Sequence, residues 1–147
     1  MEDKVILLVE DNPDDEALAL RALQKNNIAN RVVVARDGAE ALDYLFGTGV
    51  HAGRDVGDTP TVILLDLKLP KVDGLEVLRR LRADERTMGI PVVALTSSAE
   101  EKDILASHRS HVNSYIRKPV DFVHFVDVVR QVGLYWLVLN QPLPRAP

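Results

Sequence analysis

The sequence predicts an α/β protein in which a parallel β-sheet is covered by helices on both faces. Three short, nearly continuous apolar runs, at residues 5–9, 61–65 and 92–95, are rich in β-branched side chains, as is typical of strands buried on both faces. Segments with helical spacing of apolar residues separate these runs. Because strands alternate with helices along the chain, the sheet is expected to be parallel.

The remaining elements continue this alternation. Two capping boxes predict where the second and fourth helices begin: Asp37 with Glu40, and Ser98 with Glu101. Residues 47–58 contain four glycines and no periodicity, which predicts a loop. The other predicted elements are strands at 32–35 and 112–116 and helices at 17–25, 37–46, 75–81, from 99 onward and at 122–139.

Five β-α units in 147 residues predict a single domain, with a core over about residues 4–140 and a Pro-rich tail at 141–147. Right-handed crossovers leave few possible topologies for such a chain. They favour a flavodoxin-like, doubly wound sheet with strand order 2-1-3-4-5.

Composition excludes several classes of function. The absence of cysteine excludes disulfides, thiolate zinc sites and thiol catalysis. A formal net charge of −4 argues against a general nucleic-acid binder. The chain contains neither a secretory signal nor the run of ~18 apolar residues that a membrane span needs. We therefore expect a cytoplasmic protein with no nucleic-acid or membrane partner.

Polar residues follow four of the five predicted strands. Glu10 and Asp11 follow the first strand, Asp66 the third, Thr96 ends the fourth, and Lys118 follows the fifth. In open α/β sheets, ligands bind beyond the carboxyl ends of the strands, so these side chains are expected to converge. Each residue alone is explained as well by a cap or a turn. Their joint placement predicts a site.

The residue types in this site suit phosphoryl transfer. Three carboxylates in a small crevice repel one another, and a divalent cation with oxygen ligands, Mg²⁺ above all, relieves the repulsion. A carboxylate can attack phosphorus to form an acyl phosphate. The Lys118 ammonium and the Thr96 hydroxyl would stabilise the group in transfer.

These residues resemble the signature of the response-regulator receiver family. The resemblance covers residues 5 to about 139. Within the family, the sequence is most similar to the single-domain regulators that are paired with bacterial phytochromes. The matching segments are ILLVEDN at 6–12, LLDLKLPKVDG at 64–74, ALTSS at 94–98 and YIRKPVD at 115–121.

The resemblance implies a metal-assisted phosphoacceptor. Asp66 matches the phosphorylated aspartate, and Glu10 and Asp11 match the acidic pair that holds Mg²⁺ or Mn²⁺. The backbone carbonyl of Lys68 matches a further metal ligand. Many members carry Asp where this chain has Glu10, and the extra methylene is expected to favour water-mediated contact with the metal.

The resemblance also implies a switch. Thr96 and Lys118 match the residues that bind the phosphoryl group, and Tyr115 matches the aromatic whose rotamer changes on activation. The phosphoryl donor would be a sensor histidine kinase, here of the phytochrome type. In this family, the exposed face of the first helix and the loop after the fifth strand dock the kinase. The docking candidates are Leu18, Arg21, Ala22 and Val120. The alternative for Leu18 is that it packs in the core.

The last predicted helix, residues 122–139, indicates a contact surface. It contains only two charged residues and ends in six consecutive apolar positions, more than one packed face can bury. We expect a homodimer through the fourth and fifth helices and the fifth strand; the alternative is that the tail covers this helix. The interface candidates are Phe122, Phe125, Val129, Tyr135 and Trp136.

Three other functions are possible for a chain of this class. A phosphatase of the haloacid-dehalogenase type needs an aspartate two positions after its nucleophile, where this chain has Lys68. The turn at 10–14 has no glycine and three acidic residues, unlike a nucleotide-binding loop. A dimeric binding module that works without phosphorylation stays open. The preferred interpretation is a receiver without an attached output domain, a switch rather than an enzyme, although it self-phosphorylates and dephosphorylates with Mg²⁺.

We predict slow loss of the phosphoryl group. By resemblance, Lys68 and Ser98 occupy positions that tune hydrolysis of the acyl phosphate, and neither supplies a carboxylate or amide to orient water. The measurement is the half-life of the phosphorylated protein after removal of the donor. A half-life of seconds would refute this prediction.

Overall fold

A computed structural model describes residues 5–25, 31–96, 112–118, 123, 124 and 127. Five parallel strands form one sheet in the order β2-β1-β3-β4-β5, which confirms the predicted flavodoxin-like topology. The strands are β1 (Val5–Val9), β2 (Arg31–Ala35), β3 (Val62–Asp66), β4 (Val92–Thr96) and β5 (Ser114–Arg117).

Three α-helices are described: α1 (Pro13–Lys25), α2 (Gly38–Phe46) and α3 (Gly74–Ala83). The predicted loop at 47–58 contains a short 3-10 helix, Gly49–His51, which the lack of periodicity did not predict. The predicted helix from residue 99 lies outside the described residues. Of the predicted helix at 122–139, only residues 123, 124 and 127 are described, and they are helical. In the described part of the chain, no helix has the length and apolar character of a bilayer-spanning segment.

The three central strands of the sheet are buried on both faces. Side chains alternate across each strand, so β1 contributes Ile6 and Leu8 to the face covered by α1 and Leu7 and Val9 to the opposite face. All residues of β1, β3 and β4 are buried. Each fully buried aliphatic side chain contributes roughly 1.5–3 kcal/mol. This apolar burial holds the carboxyl ends of the three central strands in a rigid row.

Side-chain caps place the helix starts close to that row. Asn12 caps α1 through its Oδ1, which accepts hydrogen bonds from the backbone N–H of Asp14 at 2.8 Å and Asp15 at 3.2 Å. Asp37 caps α2 by accepting from Glu40 N at 2.7 Å, as predicted. The Glu40 carboxylate accepts a hydrogen bond at 3.2 Å from the backbone N–H of Arg36, the residue before the cap Asp37.

The loop after α2 is held by one arginine. The Arg54 guanidinium donates to the backbone oxygens of Tyr44 at 2.5 Å and Asp58 at 2.8 Å. It also lies 4.1 Å from the centre of the Tyr44 ring, within cation–π range. The bond to Tyr44 satisfies a carbonyl in the last turn of α2 that the helix end leaves unpaired. The glycine-rich segment is therefore anchored to α2.

Gly74, the first residue of α3, touches the strand end that carries Asp66. Its N–H donates to Leu67 O at 2.9 Å. A Cβ at this position would collide with the carbonyl of Asp66 and the backbone of Leu67. The missing side chain therefore allows α3 to begin directly against the chain that leaves β3.

We predict that Gly74→Ala lowers the free energy of unfolding by about 1–3 kcal/mol, because a backbone must shift to admit the methyl group. Gly89→Ala is the matched control, since a Cβ there meets nothing within 4 Å. The measurement is urea unfolding of both variants. Equal stability of the two variants would contradict the close approach at Gly74.

Candidate functional site

Four strand ends bring the predicted polar residues into one crevice. Asp66 and Thr96 are the last residues of β3 and β4, and Glu10 directly follows β1. All three are buried, with exposed fractions of 4%, 2% and 1%. Lys118 follows β5, and its N–H donates to Thr96 O at 2.7 Å, which fixes its backbone beside β4. The structure therefore brings Glu10, Asp66 and Lys118 together, and Thr96 ends the strand beside that of Asp66.

The Lys118 ammonium lies at the centre of the crevice. Its Nζ is 2.8 Å from Asp66 Oδ2 and 3.1 Å from Asp15 Oδ2. It is also 3.2 Å from Glu10 Oε1 and 2.9 Å from Glu10 Oε2. An ammonium has three N–H donors, so carboxylates from three parts of the chain share them.

Glu10, Asp11 and Asp66 form an acidic group with the geometry of a cation site. One carboxylate oxygen from each lies within 4.8 Å of the others. Glu10 and Asp66 are buried, whereas Asp11 is exposed at the mouth. Among the described residues, no other group of three or more His, Cys, Asp or Glu side chains meets this spacing. Oxygen ligands of this kind suit hard divalent cations.

A buried acceptor supports that fit. Glu10 Oε2 is buried and lacks a hydrogen-bond partner in the described part of the chain. Its 2.9 Å approach to Lys118 Nζ is an ion-pair contact without hydrogen-bonding geometry. A buried acceptor without a donor is unfavourable, and coordination of a cation would satisfy it. The donor set therefore fits a divalent metal.

Burial and neighbouring charge set the protonation of this crevice. Burial raises the pKa of Glu10 to about 7, and the nearby Asp66 charge acts in the same direction, while Lys118 opposes both. Burial disfavours the charged form of Lys118, but hydrogen bonds from its ammonium to Asp66 and Glu10 outweigh this and raise its pKa. Lys118 is therefore a permanent cation, and Glu10 exchanges its proton near neutral pH.

Asp66 is oriented by contacts on both of its oxygens. Oδ1 accepts a hydrogen bond from Lys68 N at 3.1 Å, and Oδ2 accepts from Lys118 Nζ at 2.8 Å. A cavity of ≈ 520 Å³ opens beside Asp11, lined on one side by the residues that follow β3. The carboxylate is therefore held in place, and the cavity lies beside its neighbours Leu67 and Lys68 in the chain.

Tyr115 is an exposed residue of the last strand. It is on β5, with Ala94 as its register partner on β4, and its exposed fraction is 40%. The role of Lys68 through its carbonyl, and those of Thr96 and Tyr115 in switching, stay predictions.

The structure corrects one docking candidate. Ala22 is 3% exposed and packs in the core with Ile6 and Leu23, so the prediction that it belongs to a docking surface is wrong. Helical spacing could not distinguish it from Leu18, which is 38% exposed, or Arg21, which is also exposed. Val120 and the predicted interface residues lie outside the described residues: Phe122, Phe125, Val129, Tyr135 and Trp136.

Asp15 was missed as a site residue. The sequence pattern assigns the acidic residues at the start of the first helix to its first turn and not to the site. The structure places the Asp15 carboxylate against Lys118, a residue 103 positions away. Only its position on the first turn of a helix next to β1 could have suggested this contact.

We predict that the metal-free protein loses stability as pH rises from about 4.5 to about 7, through Glu10. Its pKa is raised in the folded state, so the stabilising contribution is present at low pH and disappears as the folded carboxyl ionises. The Glu10→Gln side chain stays neutral at every pH. The free energy of unfolding of this variant, relative to that of the wild type, is expected to increase between pH 5 and pH 8 by on the order of 1–3 kcal/mol.

The measurement is urea unfolding in the presence of EDTA at both pH values. Glu85→Gln is the control, because Glu85 is exposed. A constant difference between Glu10→Gln and the wild type across this range would refute the prediction.

Comparison with known proteins identifies the family. Residues 6–130 match the response regulator receiver domain. The chain is 38% identical to response regulator Rcp1 of Synechocystis sp., covering 91% of this chain and 89% of that protein. It is 42% identical to the probable methanogenesis regulatory protein FilR2 of Methanothrix harundinacea, covering 93% and 86%.

Solved structures agree with this assignment. The bacteriophytochrome response regulator AtBRR is 54% identical, with a TM-score of 0.86 and coverage of 95% of this chain and 99% of that chain. RtBRR is 51% identical, with the same TM-score of 0.86 and coverage of 97% and 85%. Rcp1, solved in a Mn²⁺-bound form, is 37% identical with a TM-score of 0.73, covering 97% and 99%. The chain therefore belongs to the response regulator receiver domain family.

Proposed function

We propose that this receiver is a phosphorylation switch in which Asp66 accepts a phosphoryl group from a histidine of a sensor kinase. One observation carries the proposal: Asp66 ends β3 with its carboxylate 2.8 Å from the Lys118 ammonium and within 4.8 Å of the Glu10 and Asp11 carboxylates. Receivers generally work with histidine kinases and are signalling switches rather than enzymes.

The transfer forms one bond and breaks another. A carboxylate oxygen of Asp66 attacks the phosphorus, the bond from phosphorus to the donor's imidazole nitrogen breaks, and its electron pair returns to the imidazole. With acetyl phosphate as donor, the bond to the acetate oxygen breaks instead, which is the self-phosphorylation chemistry. Lys118 donates to a phosphoryl oxygen and stabilises the negative charge that collects there.

Glu10, Asp11 and Asp66 are the residues that would hold Mg²⁺, with the backbone carbonyl of Lys68 as a further ligand. Mn²⁺ suits the same oxygens. When bound, the cation would screen the repulsion between these carboxylates and the incoming phosphoryl oxygens. Glu10 ionises near neutral pH, so proton release from Glu10 accompanies cation binding.

The output of the switch would pass through Thr96 and Tyr115. Thr96 is buried at the end of β4, next in the sheet to Asp66, so its hydroxyl can turn toward a new phosphoryl group. Tyr115 is on β5, the strand beside β4, and its partial exposure leaves room for a second rotamer. A hydroxyl displaced toward the phosphate would open space that the Tyr115 ring can enter.

The kinase partner is proposed to be of the phytochrome type. The support is the 51% and 54% identity to two bacteriophytochrome response regulators. The exposed side chains of Leu18 and Arg21 on α1 stay docking candidates. Receivers often dimerise, and the apolar last segment is the proposed surface for a homodimer. No nucleic-acid or membrane partner is proposed.

We predict that the protein gains the mass of one phosphoryl group when it is incubated with acetyl phosphate and Mg²⁺. Asp66→Asn should abolish the gain, because an amide does not attack phosphorus under these conditions. The measurement is intact mass, with and without Mg²⁺. Asp58→Asn is the matched control: it removes the same charge from an exposed loop and should be phosphorylated like the wild type.

Two outcomes contradict the proposal. Equal gain in Asp66→Asn and the wild type would place the phosphoryl group on another residue. Failure of the wild type to gain mass, from acetyl phosphate or from a phosphorylated histidine kinase, would favour a binding module that works without phosphorylation.

A further inference from the structure

We propose that Asp15 is a positioning residue, which keeps the Lys118 ammonium beside Asp66 when a divalent cation occupies the other carboxylates. The inference rests on the proposed phosphoacceptor function and adds a fourth carboxylate to it. It starts from one contact: Asp15 Oδ2 lies 3.1 Å from Lys118 Nζ and joins α1 to the end of β5.

Asp15 differs from the other partners of Lys118 in one respect. Glu10 and Asp66 belong to the group of carboxylates with the spacing of a cation site, and in the described part of the chain Asp15 does not. A cation bound by Glu10, Asp11 and Asp66 would therefore compete with Lys118 for two of its three acceptors. The third acceptor, Asp15, would stay free to hold the ammonium.

The competition is strong because the two cations repel each other. A divalent ion and an ammonium that share carboxylates lie a few Å apart, in a crevice where burial reduces solvent screening. Lysine is flexible and retains much rotamer freedom unless its ammonium is held. Without the Asp15 carboxylate, the Lys118 ammonium would move toward solvent when the metal binds.

The backbone of α1 makes Asp15 a fixed anchor. Its N–H donates to Asn12 Oδ1 at 3.2 Å in the cap of the helix. Asn12 N in turn donates to Glu10 Oε1 at 3.2 Å, so the cap is tied to the site itself. The Asp15 side chain is 30% exposed, whereas that of Lys118 is 11% exposed. Asp15 is therefore the more exposed partner of this ion pair.

The competing explanation is that Asp15 only stabilises the start of α1. A carboxylate in the first turn of a helix interacts favourably with the helix dipole, whether or not it contacts a lysine. Asp14 is in the same turn and is exposed. Within the described residues, its carboxylate is not one of those that contact Lys118. Asp14→Asn is therefore the matched control for the helix effect.

The first experiment reads the position of Lys118 without phosphorylation. Acetic anhydride labelling of Lys118 is followed by peptide mass spectrometry, in EDTA and in saturating Mg²⁺, for the wild type, Asp14→Asn, Asp15→Asn and Asp15→Glu. We expect about three- to tenfold faster labelling of Asp15→Asn in Mg²⁺, since the reagent reaches a loosened ammonium more readily. Asp14→Asn should match the wild type, and Asp15→Glu should restore most of the protection.

The second experiment measures phosphorylation by acetyl phosphate as a function of Mg²⁺ concentration. We expect Asp15→Asn to lower the rate at saturating Mg²⁺ by about three- to tenfold, the effect of a misplaced charge-assisted donor. The Mg²⁺ concentration that gives half the maximal rate should change by less than about twofold, because Asp15 is not a metal ligand. A role in helix stability alone would change neither quantity, although it would lower the unfolding midpoint.

The outcomes separate the two proposals. Equal labelling of Lys118 in Asp14→Asn and Asp15→Asn in Mg²⁺ would overturn the positioning role. A wild type that takes up no phosphoryl group would overturn the proposed function. The labelling experiment would still decide whether Asp15 holds Lys118 in place. Faster labelling together with a lower saturating rate, rescued by Asp15→Glu, would establish the role.

Discussion

The site depends on one buried cation surrounded by carboxylates. Lys118 is 11% exposed and within 3.2 Å of Glu10, Asp15 and Asp66. Buried carboxylates without this ammonium would repel one another and favour protonation. A single positive charge does not balance them, and this residual negative charge suits a divalent cation. Burial, with the Asp66 charge acting in the same direction, raises the pKa of Glu10.

The apolar sheet makes that arrangement possible. The central strands β1, β3 and β4 are buried along their whole length, so their ends are held to the precision of a packed core. Parallel registers then place Glu10, Asp66 and Thr96 in neighbouring strands at one edge. Gly74 permits α3 to begin against the same edge. Hydrophobic packing of the central strands therefore fixes the positions of the acidic residues in the crevice.

The errors of the sequence analysis share a physical cause. Ala22 and Leu18 are both apolar residues of the first helix, and their spacing in the sequence does not show which of them faces the core. Only the contact of α1 with the sheet distinguishes them. Asp15 contacts Lys118 across 103 residues, and no local pattern encodes a contact at that separation. The 3-10 helix at Gly49–His51 lies in a segment without periodicity, where hydrophobic spacing carries no signal.

The sequence by itself determined the strand order, the strand-end residues and the family, because apolar runs, caps and motif spacing are local properties of the chain. The tertiary structure decided which charges meet. Lys118 contacts Glu10 after β1, Asp15 of α1 and Asp66 of β3 only after the sheet is assembled, and burial of Glu10 exists only in the folded state. Solvation and distance between charges depend on the whole fold, and for that reason they cannot be read from neighbours in sequence.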